Sequence, residues 1–210
     1  MRELSVITGL SKTRAPGPLP SFNDYHLLWA MEFVELDEPI GRSRLSKFLG
    51  LGEGAGRTIV ERLRDGGLIR VTRSGCSLTP RGRNVLEGVR RIVSRSVPLT
   101  GNPLGLDGSS VAILVRGASH LVRSGIEERD ASVRAGALGA MTLIFKGGLL
   151  SVPGLSEDAE KDFPGVAAQL LSHFKPRIGD AILIVAADSL AIAEQAARAA
   201  VLSLLRTERS

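Results

Sequence analysis

The sequence holds one cysteine, Cys76, in 210 residues. That excludes an internal disulfide and any cysteine-rich zinc site. Histidine is nearly as scarce. His26, His120 and His173 lie far apart, at none of the spacings a metal site uses, so no metal and no cofactor is expected. HExxH and GxSxG are absent, and no catalytic residue is assigned. Glu127, Glu128 and Asp130 are the nearest approach to a carboxylate group, but acids in a first helical turn ordinarily serve the helix dipole. Long apolar runs are missing too. The longest, Ala181 to Ala187, falls far short of the ~20 residues of a membrane helix. The opening MRELSVITGL lacks the apolar core of a secretory signal. These absences lead us to expect a cytoplasmic protein without membrane contact.

What is present is charge, unevenly spread. From Ile40 to Ser96 thirteen basic residues face four acidic ones, a local charge of +9. From Leu99 onward eleven basic residues meet twelve acidic ones. A basic segment beside a neutral one implies that the first meets a polyanion. Aromatic residues make up only 4% of the chain, and the basic segment has only Phe48, at an apolar position. Base stacking on exposed rings, the usual route to single-stranded RNA, has no basis here.

Periodicity divides the chain. Lys12 to Pro20 has three prolines and a glycine, and residues 1–20 read as an N-terminal arm. Ser21 offers a cap for a helix from Phe22 to Leu36, in which Trp29 is a core position. Ile40-Gly41 suggests a short strand, followed by a helix from Arg42 to Leu49. The string GLGEGAG precedes a second helix, RTIVERLRD, opened by Gly54 and stopped by Gly66-Gly67. Leu68 to Thr72 and Cys76 to Leu78 form a hairpin around Arg73 to Gly75. Thr79-Pro80 caps a further helix with Val85, Val89, Ile92 and Val93 on one stripe. Val97 to Ser110 reads as a linker. Beyond it, Val111–Val115, Met141–Phe145 and Ala181–Ala187 are continuous apolar runs, the mark of strands buried on both faces. Helical stretches separate them, Leu149 to Val152 offers a hairpin partner, and an alanine-rich helix closes the chain from Ala191 to Leu205. The expected fold class is an α+β winged helix-turn-helix domain over 21–97, a linker over 98–110 and a small α/β domain over 111–210.

SRLSKFLGLGEGAGRTIVERLRDGGLI, a short wing and then LTPRGRNVLE resemble the winged helix-turn-helix of many prokaryotic regulators. The strings LRDGGLI and LTPRG are closest to that pattern. One departure is Gly56, which stands where those domains place an apolar residue. The whole chain, through VRGASHLVRSGIEERDASVRAGALGAMTLI, resembles an archaeal family of two-domain regulator-like proteins whose second domain has no known function. The resemblance implies double-stranded DNA as partner and brings no ligand or reaction with it.

DNA recognition needs a helix in the major groove, side chains that reach base edges, and cations for phosphates. On this reading Ala55, Arg57, Thr58 and Arg62 present the recognition helix, with Arg57 placed for guanine. Arg42, Ser43 and Arg44 hold the backbone from the preceding helix. Arg70, Arg73 and Ser74 reach out from the wing. The glycine string does not make a nucleotide loop, because no Lys-Ser or Lys-Thr follows it and no strand precedes it. In the second domain, parallel strands would bring Arg116, His120, Lys146 and Asp188 to one crevice, where an anionic small-molecule effector would bind. Arg129 and Asp130 are further ligand candidates. The valine stripe and the alanine-rich helix are the expected seams of a homodimer. Two other readings stay open: an enzyme, or an interaction module, that uses its winged helix for protein or RNA contact.

Overall fold

The computed structural model describes residues 22–206, together with Val6, Gly9 and Leu10. Ser21 and, those three residues apart, the expected arm lie outside the described residues. The chain divides into two compact units, residues 1–90 and 91–210.

The first unit runs α1 (Asp24–Asp37), α2 (Arg42–Phe48), α3 (Glu53–Asp65), β1 (Ile69–Thr72), β2 (Gly75–Leu78) and α4 (Pro80–Ile92). This is a winged helix. α1 buries Leu27, Leu28, Ala30, Met31 and Val34. Its start is held by Asn23, whose N–H donates to His26 Nδ1 at 3.0 Å. Gly50, at φ +65°, turns the chain between α2 and α3. β1 and β2 pair antiparallel from Ile69↔Leu78 to Thr72↔Gly75, leaving Arg73-Ser74 at the wing tip. The expected first strand is a single bridge: Ile40 N–H donates to Cys76 O at 3.0 Å, and Cys76 N–H returns to Ile40 O at 2.8 Å. Gly75 makes that bridge possible, since a Cβ there would stand 2.7 Å from Ile40 O. Thr79 caps α4 as expected, its hydroxyl accepting from Gly82 N–H at 3.0 Å.

The second unit contains a five-stranded sheet in the order β3-β4-β7-β5-β6, formed by Val97–Leu99, Ser109–Val115, Ala181–Ala187, Gly139–Lys146 and Leu149–Ser151. Helices α5 (Ile126–Arg134), α6 (Ala159–Asp162), α7 (Pro164–Phe174) and α8 (Leu190–Arg206) accompany it. One face of the sheet, with Ala112, Leu114, Leu143, Ile182 and Ile184, shares a core with Ala167, Leu170 and Phe174 of α7. α8 packs on β7 and β4, and α5 on β5 and α8. β7 is buried along its whole length.

Three expectations change here. All neighbouring strands are antiparallel. A continuous apolar run reports burial on two faces, which helices on both sides impose whatever the strand direction. Second, Val97–Leu99 pairs with Ser110–Ala112 and Ser94 N–H donates to Leu114 O at 2.9 Å, so residues expected in the first domain and linker belong to the second sheet. Pro98 made this segment read as loop, yet it lies on an edge strand, where proline is tolerated. Third, both stripes expected to seat a second copy are largely internal, with Ile92 half-buried. Val85, Val89 and Val93 are buried, as are Ala193, Ala196, Ala197 and Ala200 of α8.

Among the described residues no helix is long and apolar enough to cross a membrane. No described group of His, Cys, Asp and Glu is arranged to hold a metal ion.

Candidate nucleic-acid interface

α2, α3 and the wing hairpin carry the expected contact residues. α3 starts at Glu53, one residue before Gly54, with Gly52 as its N-cap. Ile59, Val60 and Leu63 face inward, and Arg57 is exposed. Thr58 is half-buried, and its hydroxyl donates back to Gly54 O at 3.0 Å, so it remains within its own helix. Ala55 is also half-buried. Arg62 departs from the expected role. Its guanidinium lies 4.9 Å from the centre of the Phe22 ring, and Nη1 donates to Leu10 O at 3.2 Å. It braces the inner side of α3, because position 62 lies one turn and a fraction beyond Arg57 and has rotated toward α1. Arg42, Ser43 and Arg44 are exposed at the start of α2, and Arg70, Arg73 and Ser74 on the wing. The Ile40–Cys76 bridge ties the approach to α2 to the wing, so these two groups share one edge of the unit.

The charge balance is finer than the segment count implies. α1 and the residue after it bring Asp24, Glu32, Glu35, Asp37 and Glu38, which lie outside the +9 window. Arg44 pairs with Asp37 at 2.8 Å, Arg83 with Glu38, and Arg90 with Glu35. Glu38 also accepts from Leu78 N–H at 2.8 Å. Burial pushes the Glu38 carboxyl up, but Arg83 and the Leu78 amide together hold it below the usual carboxylate range. Arg42, Lys47, Arg57, Arg70, Arg73 and Arg81, in contrast, pair with no acid among the described residues. Acids of α1 and the residue after it thus pair with Arg44 of α2 and with Arg83 and Arg90 of α4, while cations outside any such pair remain on α2, α3, the wing and both ends of α4. The run Glu32, Glu35, Asp37, Glu38 just before the basic segment was the signal for this pairing.

Gly56, the departure in the sequence pattern, is a buried contact point. A Cβ there would stand 1.8 Å from Ser46 Oγ and 2.8 Å from Ser46 Cβ. At this point α3 lies against α2 at a distance only glycine permits.

Residues 25–93 match the family model described as the CggR N-terminal DNA binding domain, and residues 106–204 match a domain of unknown function, DUF4443. The chain is thus similar to a CggR-type N-terminal domain in its first part and to a DUF4443 domain in its second. A hypothetical protein from Pyrococcus horikoshii OT3 has the same fold, with a TM-score of 0.65 and 24% identity over 90% of this chain and 95% of that one. No curated protein matches the chain by sequence.

The matched residues 25–93 contain every expected contact residue of α2, α3 and the wing. The six ligand candidates lie in the DUF4443 domain, and the structure does not assemble them. β4 and β5 both flank β7 antiparallel, so Arg116 and Lys146 share one end of the sheet while Asp188 leaves β7 at the other. The acid near Arg116 is Asp180. It takes Arg116 Nη1 at 2.6 Å, Gly117 N–H at 2.9 Å and Arg177 N–H at 2.8 Å, and its side chain is 4% exposed. Arg116 is therefore spent on a structural pair. His120 is exposed on a short turn, and Arg129 and Asp130 are exposed on α5. Lys146 lines a groove of about 570 Å³ with Leu149, Ser151, Leu155 and Glu157. Sequence reasoning missed Asp180 because it weighed only a parallel arrangement, in which Asp188 would take that place.

Proposed function

We propose that this protein is a transcription regulator that binds double-stranded DNA through α3, α2 and the wing. The observation that carries this reading is the segregation of charge in the CggR-type domain. Arg83 and Arg90 of α4 are paired with acids of α1 and its following residue, while Arg42, Lys47, Arg57, Arg70 and Arg73 are outside any salt bridge among the described residues and lie on the elements a winged helix lays on a duplex. Arg57 reads a base in the major groove, and Arg42 and Arg73 hold phosphates. One small domain covers little DNA, so the reading includes a homodimer on two half-sites. The DUF4443 domain is its regulatory half, and the groove beside Lys146 is where an anionic effector would bind.

Genome-fragment selection with the purified full chain, followed by affinity measurement at several salt concentrations, tests the proposal. We expect a recurrent duplex motif and an affinity that falls steeply with salt as counterions are released. A flat salt response, or no binding at low salt, would overturn it.

A further inference from the structure

α2 and α3 approach each other at one point more closely than side chains allow. Gly56 is fully buried there, and a Cβ on it would meet Ser46 Oγ at 1.8 Å, Ser46 Cβ at 2.8 Å and Ser46 Cα at 3.3 Å. Rotating the hydroxyl away does not make room, because the Cβ and Cα distances remain too short. Ser46 is itself 3% exposed, and its Oγ donates to Arg42 O at 3.0 Å. The Ser46 carbonyl accepts from Leu51 N–H at 3.0 Å, fixing the turn that leads into α3.

This contact lies between the two cations with different tasks. Ser46 holds the carbonyl of Arg42, at the start of α2, and Gly56 immediately precedes Arg57. The helix separation at this point therefore sets how far Arg57 projects relative to Arg42. Two rigid helices touching nearly backbone to backbone cannot be moved apart at one residue without moving the whole face, since packed interiors shift as units. Base readout depends on placement to a fraction of an ångström, whereas long cationic side chains on phosphates tolerate more.

We infer that Gly56 and Ser46 are positioning residues for sequence-specific binding: their contact sets the height of Arg57 above the DNA-facing surface. The inference rests on the duplex-binding reading above. It explains why glycine occupies a helix interior position, where it is unfavourable on propensity alone.

The test uses the full chain and two duplexes, the selected motif and a scrambled one of equal length. Its readout is the ratio of the two affinities, which a loss of folded protein would not move because it lowers both together. Gly56→Ala should reduce the ratio by about tenfold, the size of one lost base contact, and leave scrambled-duplex binding nearly unchanged. Ser46→Gly/Gly56→Ala returns the missing space from the other helix and should restore most of the ratio. Should Gly56→Ala fail to fold, Ser46→Cys supplies a milder wedge from the opposite side and should lower the ratio several-fold. An unchanged ratio in Gly56→Ala or in Ser46→Cys, or no recovery in the double variant, overturns the inference. A wild-type chain that binds neither duplex, or both equally, overturns the reading beneath it instead.

Discussion

His26 and Glu128 are two buried titratable groups with opposite consequences. His26 accepts the Asn23 N–H at the start of α1, and burial lowers its pKa to about 4, only partly offset by the local backbone contact. Its proton therefore binds more readily in the unfolded chain, whose histidine titrates near ~6.5. The stability due to the neutral ring is complete above that value and drains away as pH falls toward 4. His26→Gln keeps an acceptor for the cap, and urea unfolding of this variant should show a flatter pH response between 7 and 4 than the wild type. An identical response would mean that another group governs this range. Glu128 is 2% exposed, with Oε2 lacking a hydrogen-bond partner among the described residues, and burial raises its pKa. Its contribution is complete below the unfolded carboxyl value and declines as pH rises through the folded one. Glu128→Gln should gain stability relative to wild type at pH 8 and little at pH 4; an equal gain at both would refute the assignment. Arg57 and Arg73 differ in kind rather than sign. Arg57→Ala should cost about 1–3 kcal/mol at one base position, while Arg73→Ala should weaken all duplexes alike and lower the salt slope by about one. An unaltered selected motif in Arg57→Ala would place the reading residue elsewhere.

At the scale of elements, α4 is seated by a close approach. A Cβ on Gly82 would stand 2.1 Å from Leu68 O. Gly82→Ala must push the first turn of α4 off the residue leading into β1, at a cost of about 1–3 kcal/mol. Thermal unfolding should show it; an unchanged midpoint would mean the turn shifts freely. Most elements of both units were legible in the sequence because each carries its own signal: LTP for the cap of α4, glycines at the stop of α3, apolar runs for β4, β5 and β7. Relations between elements were less so. Strand direction leaves no trace in a run such as AILIVAA when both faces are buried, and this hid the Arg116–Asp180 pair. The exposed cations of α2, α3 and the wing were legible from chemistry and spacing. The inward turn of Arg62 was not, because its partners Phe22 and Leu10 lie far off in sequence. Gly56 stood out as an exception to a pattern, but only its distance to Ser46 explains it.

For the whole molecule, the internal placement of the valine and alanine stripes bears on assembly. Helices that bury most of their apolar faces within one chain leave little for a second copy, so a homodimer would draw mainly on other surfaces. Light scattering at micromolar concentration, with and without the selected duplex, should give a dimer mass on DNA; one copy per duplex together with protection of one half-site would retire the dimer. The strand order has a separate consequence, for the order of assembly. β4 and β5 flank β7 and never touch each other, yet β7 is made last, about 40 residues after β5 and 70 after β4. While the chain is being synthesised, the sheet has an empty central slot bordered by two apolar strands with unpaired edges. Such edges invite pairing with other chains, and contacts across long sequence separations form slowly. The final strand closes the slot from both sides at once. A chain cut short before Ala181 would then be lost to aggregation rather than left as a smaller folded domain, and the backbone amides of β7 should be the slowest of the second unit to exchange their hydrogens with solvent.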